Sequence, residues 1–250
     1  MADQPTALIL GATGGIGSTL AARLAGRGVR LALCGRDAVK LDNLASSLQG
    51  DHMTRAVDAT QPSEIVDAAK AAAEQFGSLG GIANCVGSII LKPADRTTDE
   101  EFEQTLRLNL WSSFGAVQAA GKTMRSSGGS VVLFATAAAR AGLPNHEAIA
   151  AAKGGVIGLS TSAASTYATN NIRFNVIAPG LVDTPGASHI TGNEMAVKAS
   201  AAMHALGRIG QPEDIAPLAD HLLSDESAWT TGQVFGVDGG LSTLRTRVKV

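Results

Sequence analysis

A glycine-rich turn, Gly11-Ala-Thr-Gly-Gly15-Ile-Gly17, follows the short apolar run Ala7-Leu-Ile-Leu10 and leads directly into a helical pattern. A turn with so few side chains lets backbone N–H groups approach a pyrophosphate, and the helix N-terminus adds a favourable dipole. No Gly-Lys-Ser/Thr follows, so this is not a P-loop. The next apolar run ends in Cys34-Gly35-Arg36, with no acid before Asp37. Dinucleotide folds that take NAD place an acid at that strand end to accept from the ribose hydroxyls, whereas a guanidinium there favours a 2′-phosphate. The chain is thus expected to hold NAD(P)(H), with NADP(H) preferred over NAD(H) and Arg36 on the phosphate. The alternative is an exposed arginine that merely opens a loop. Further on, His146 precedes Lys153 by seven residues, about two helical turns, which sets an imidazole and an ammonium on nearly one helix face. Histidine is a general acid suited to near-neutral pH. The alternative is a surface first-turn residue beside an N-cap at Asn145.

These groups need a frame, and the chain supplies alternating strand and helix signals. Predicted strands cover Ala7 to Leu10, Val29 to Cys34, Thr54 to Val57, Ile82 to Val86, Val131 to Phe134, Ile172 to Ile177 and Gln233 to Val237. Between them, Ile16, Leu20 and Leu24 recur at helical spacing, as do Leu41, Leu44 and Leu48. Pro62 to Phe76 reads as a helix with proline in its first turn. Thr98-Asp-Glu-Glu101 is a capping box that opens a long helix through Met124. Helices are also expected from about His146 to Tyr167 and from Glu213 to Leu223, with weaker helical character over 186–206. Helices separated by short apolar strands imply an α/β fold. It is expected to be a Rossmann-type doubly wound parallel sheet, helices on both faces, in a single domain over 1–250.

Composition narrows the function classes. Of 250 residues, 45% are hydrophobic and 17% charged, with a formal net charge of -2, which gives no electrostatic reason to expect nucleic acid or an acidic membrane as partner. Arg245-Thr-Arg-Val-Lys249 reads as a short basic tail over 245–250. No run approaches the ~20 apolar residues of a membrane span, and the start lacks a signal-peptide core. Cys34 and Cys85 have no disulfide or metal spacing. A cytoplasmic protein with reduced thiols and no metal site is the expectation.

With these motifs in view, the chain resembles the short-chain dehydrogenase/reductase family from residue 6 to about 242. Gly11, Gly15 and Gly17 match its G-x-x-x-G-x-G, and Asn84-Cys-Val-Gly87 is a degenerate form of its Asn-Asn-Ala-Gly. Asn109 matches its helix asparagine. Pro179-Gly180 with Val182 and Thr184, and Arg208 to Asp214 with Val237-Asp-Gly-Gly240, also match. The resemblance implies cofactor contacts from Thr13, Ile16, Asp58 (at the adenine amino group), Asn84, Gly87, Lys153, Pro179, Gly180, Val182 and Thr184. It also implies a homo-oligomer, dimer or homotetramer, packed through two long helices. Ala150, Ala151, Ala152, Gly154, Gly155 and Gly158 would allow that close approach.

The family pairs a serine with a tyrosine thirteen residues on and a lysine four further. Here those positions read Thr136, Ile149 and Lys153. The only tyrosine, Tyr167, lies about four helical turns beyond Lys153. Isoleucine cannot donate a proton, so the usual relay through phenol is absent as written. His146 sits at the offset where some related enoyl reductases place their tyrosine. The expected activity is that of an oxidoreductase acting on a small carbonyl or conjugated enone, with Asn109, Thr136, Lys153 and His146 as its catalytic set. The alternative is a non-catalytic NADP(H)-binding sensor or assembly partner.

Overall fold

The computed structural model describes residues 5–245; most of the basic tail lies outside the described residues. Seven strands form one wholly parallel sheet: β1 (Thr6–Leu10), β2 (Arg30–Gly35), β3 (Met53–Ala56), β4 (Gly81–Asn84), β5 (Gly129–Phe134), β6 (Ile172–Pro179) and β7 (Val234–Val237). Their order is β3-β2-β1-β4-β5-β6-β7. This is the doubly wound arrangement expected from the alternation of signals, with β1 and β4 flanking the point where the winding reverses. A crevice opens beyond the strand ends at such a reversal, and ligands of open α/β sheets bind there.

The helices cover both faces because each strand carries apolar residues to either side. One core joins α3 (Pro62–Phe76), α5 (Ser112–Thr123) and α6 (Glu147–Tyr167) to the sheet, around residues such as Leu8, Ile65, Ala116 and Phe174. The other joins α1 (Gly15–Gly26), α2 (Ala38–Ser47) and α9 (Pro212–Leu223), around Ile9, Leu20, Leu41 and Ile215. Alanine lets helices lie close to the sheet with no bulk between them. Among the described residues, no helix is long and apolar enough to cross a membrane.

The predicted helix from Thr98 to Met124 differs from the structure. The capping box forms, with Thr98 Oγ1 accepting from Glu101 N, but α4 (Asp99–Leu106) passes through a π-turn at Arg107–Trp111 before α5 begins. The insertion centres on Asn109, and single π-turns of this kind gather at functional sites. The region 186–206 divides into α7 (Ser188–Thr191) and α8 (Glu194–Met203), because Asn193 caps α8 by accepting from Met195 N and Ala196 N. Asn145 does not cap α6: it adopts a left-handed φ of 64°, and the N-cap position falls on His146.

Candidate active site

The crevice at the β1/β4 reversal is a cleft of about 420 Å³. Its floor begins at the glycine turn. Gly11 has a φ of +71°, which a side chain would strain, and a Cβ there would press on the backbone of Cys85 and Val86 at 3.1 Å. A Cβ at Gly17 would overlap the carbonyl of Gly11, and one at Gly15 would meet Thr184 Cγ2 at 2.8 Å. The turn therefore closes tightly while α1 aims its first N–H groups, which have no intrahelical acceptor, into the cleft. This cradle fits a dinucleotide pyrophosphate.

The adenine end leads away past β2. A Cβ at Gly35 would lie 3.6 Å from Thr13 Oγ1, so the first turn stands beside that strand end. Arg36 is exposed there. Asp37, the nearest acid, caps α2 by accepting from Lys40 N at 3.1 Å through one carboxylate oxygen. Asp58 is held below the usual carboxylate range by hydrogen bonds from Thr60 N and Oγ1, with a smaller contribution from the Arg36 charge. Gly11, Thr13, Arg36, Asp58 and Asn84 are not among the residues lining the cleft itself. The Asn84 side chain is buried and donates to Ser112 and Ser113 Oγ while accepting from Val86 N. It fastens α5 to the end of β4.

At the other end, the sequence-predicted residues Gly87, Asn109, Thr136, His146, Lys153, Pro179, Gly180, Val182 and Thr184 line one space together with Gly15, Ile16 and Gly17. Lys153 is only 6% exposed. Its Nζ donates to Phe134 O at 2.8 Å, and burial pulls its pKa down to about 8, with the Cys85 thiol nearby acting the other way. Burial likewise pushes the Cys85 thiol up to about 12, and both cysteines are free. Gly87 separates two key groups: a Cβ there would sit 2.9 Å from Asn109 Oδ1 and 3.4 Å from Lys153 Nζ. Asn109 is fully buried, and its Nδ2 donates to Thr105 O at 2.9 Å and Ser88 Oγ at 3.2 Å. The π-turn thus holds the loop after β4 against Lys153.

Thr136 Oγ1 accepts from Ala138 N at 3.3 Å, which leaves its own proton free to donate into the cleft. His146 is half-buried, and its Nδ1 lies 2.7 Å from Pro144 O. Because a carbonyl only accepts, that nitrogen carries hydrogen and Nε2 is the free position. Ile149, 3% exposed, lines the same wall.

Sequence reasoning missed Ser88, and it named His204 only as part of the 186–206 segment covering the active site, without its contacts. Ser88 braces Asn109. His204, 3% exposed, joins α8 to the turn after β6: its Nδ1 donates to Ser200 O at 2.7 Å, and its Nε2 accepts from Leu181 N at 3.3 Å. No periodic or motif signal marks either residue, since both act through contacts made by folding.

The fold, the glycine turn and this cleft define a nicotinamide-cofactor oxidoreductase class. The chain belongs to the short-chain dehydrogenase/reductase family: residues 11–242 match the family model described as enoyl-(acyl carrier protein) reductase. It is 34% identical to a D-threitol dehydrogenase of Mycolicibacterium smegmatis, over 95% of this chain and 93% of that protein. A short-chain type dehydrogenase/reductase from Mycobacterium ulcerans superimposes with a TM-score of 0.92 at 31% identity, covering 98% of this chain and 92% of that one. An actinorhodin polyketide ketoreductase variant with NADPH gives 0.90 at 26% identity, covering 98% and 99%.

Proposed function

We propose that the protein is an NADP(H)-dependent oxidoreductase that reduces a small carbonyl or conjugated enone without a catalytic tyrosine. The observation that carries the reading is the convergence of Thr136, Lys153, Asn109 and His146 on one cleft beside the glycine turn. When bound, the nicotinamide supplies the hydride. Lys153 has three N–H donors and one goes to Phe134 O, so two remain for ribose hydroxyls. The Thr136 hydroxyl donates a hydrogen bond to the substrate oxygen. His146 offers Nε2 to the cleft as a proton donor in its imidazolium form, because Nδ1–H is already committed to Pro144 O. Water is the alternative proton source. Gly11, Thr13, Gly15, Ile16 and Gly17 hold the pyrophosphate, Arg36 the 2′-phosphate and Asp58 the adenine. Asn84 and Gly87 shape the ribose region, and Pro179, Gly180, Val182 and Thr184 hold the nicotinamide amide. A cytoplasmic homo-oligomer packed through α5 and α6 accompanies this reading.

A second reading, a nucleotide-binding sensor or assembly partner, draws on Ile149, whose aliphatic chain occupies the wall where the family places its phenol. NADPH oxidation against ketones, quinones and enones separates the two, since a sensor binds without turnover.

Cofactor choice has its own test. Asp37 is tied into the α2 cap and Arg36 is exposed, so fluorescence titration is expected to show tighter binding of NADPH than of NADH. Arg36→Asp should weaken NADPH binding by about 10-fold or more, the magnitude of one charge-assisted contact, and change NADH binding little. Equal affinity of the unmodified protein for both nucleotides would refute the assignment of Arg36.

A further inference from the structure

The substrate half of the cleft is apolar to its mouth. Ile89, Leu91, Leu143, Ile149, Ile190 and Met203 line it. Leu91 is 42% and Met203 50% exposed, and Ile89 is also exposed. Large aliphatic side chains gathered around one opening and left facing water mark a binding surface for apolar matter. Among the described residues that line the cleft, the titratable groups are Lys153, His146 and Cys85. The Lys153 ammonium is buried against Phe134 O at the cofactor end, and the Cys85 thiol stays protonated. Asn109 donates to Ser88 Oγ and accepts from Ser88 N. The neutral hydroxyl donors of the lining are Ser88, Thr136, Thr184 and Ser200, scattered among aliphatic side chains. Apart from His146, no basic side chain of the lining lies outside the cofactor end to receive a carboxylate or phosphate, and no row of amides or carboxylates meets a chain of hydroxyls.

We infer that the substrate is an uncharged, largely apolar carbonyl compound that presents its oxygen to Thr136, and not a polyol, carboxylate or phosphate ester. This rests on the reductase reading above and narrows its substrate class. It also sets this chain apart from its polyol-named relative. An unpaired charge or a set of unmatched hydroxyls would lose its hydration against aliphatic walls, whereas an alkyl ring gains there.

The test is calorimetric titration of the protein–NADP⁺ complex, in which no reduction can occur. Three ketones serve as probes: 4-propylcyclohexanone, 4-oxocyclohexanecarboxylate and the four-carbon ketose erythrulose. The propyl ketone is expected to bind at least ~100-fold more tightly than either polar compound. Leu91→Asp and Met203→Asp should each weaken it by about 10-fold, with the NADP⁺ titration as the control for folding. Equal or tighter binding of the carboxylate or the ketose overturns the inference, as does failure of all three to bind or indifference to both substitutions. The same titration without nucleotide keeps the comparison decisive if NADP⁺ does not bind. Tight binding of the propyl ketone without NADPH oxidation would instead refute the reductase reading and leave the ligand class standing.

Discussion

Lys153→Met is expected to abolish turnover and cripple cofactor binding while leaving the protein at least as stable as before. The ammonium is buried at the cofactor end of the cleft, so its loss removes two donors that nothing else nearby can replace. Its pKa falls from 10.5 to about 8 because burial penalises the charge. At 1.36 kcal/mol per unit, that penalty is on the order of 3 kcal/mol, offset by roughly 1 kcal/mol for the hydrogen bond to Phe134 O. Methionine should therefore raise the unfolding free energy of the cofactor-free protein at pH 7 by roughly 2 kcal/mol. Chemical denaturation beside an NADPH titration checks both halves. A lysine that merely faced solvent would leave both unchanged.

The same group makes two pH statements of opposite sign. Between about 8 and 10.5 the unfolded chain holds the Lys153 proton and the folded, cofactor-free protein does not. Stability attributable to this residue therefore rises with pH across that window, and the burial penalty is fully present below it. NADPH affinity moves the other way, falling as pH climbs above about 8, because the nucleotide prefers the ammonium form. Lys153→Met should flatten both profiles.

The second large effect concerns the missing phenol. Ile149→Tyr is expected to raise reduction of simple ketones by about 10²-fold or more, the contribution of one positioned general acid. Ile149 lines the cleft on the helix that carries Lys153, so a tyrosine hydroxyl can reach the substrate space from that backbone position. His146→Phe should lower turnover of the unmodified enzyme by roughly 10²–10⁴-fold while cofactor binding persists. It should matter far less once the tyrosine is restored, because two acids serving one oxygen are redundant. Steady-state rates of the two single variants and the double variant measure that coupling. An unchanged His146→Phe rate would make water the donor and His146 a residue of the α6 N-terminus.

Much of this architecture was legible before folding. Strand and helix alternation is written in short apolar runs and helical spacings, and a buried parallel sheet needs little more. The glycine turn was legible because close backbone approach excludes side chains, as the overlap at Gly17 shows. Lys153 and Thr136 line the cleft at the positions read from the chain, whereas Arg36 stands exposed at the end of β2, outside that lining. What the sequence concealed depends on distant contacts. The π-turn around Asn109 is not a propensity: it accompanies the bonds from Asn109 to Ser88, twenty-one residues away. The N-cap position of α6 falls on His146, and Asn145 before it turns left-handed. His204 is legible as part of the segment covering the active site, but its contact with Leu181 N is made only by folding.

The central claim is that this cleft transfers hydride without a phenol. Its most direct test is incubation of the unmodified protein with NADPH deuterated at the nicotinamide C4 and a panel of neutral cyclic ketones and enones. Mass spectrometry of the products is the readout. The account predicts one deuterium on the reduced carbon of at least one product, and none with Lys153→Met. Saturable NADPH binding with no label leaving the nucleotide, on any ketone, quinone or enone, would contradict it and leave a nucleotide-binding sensor in its place.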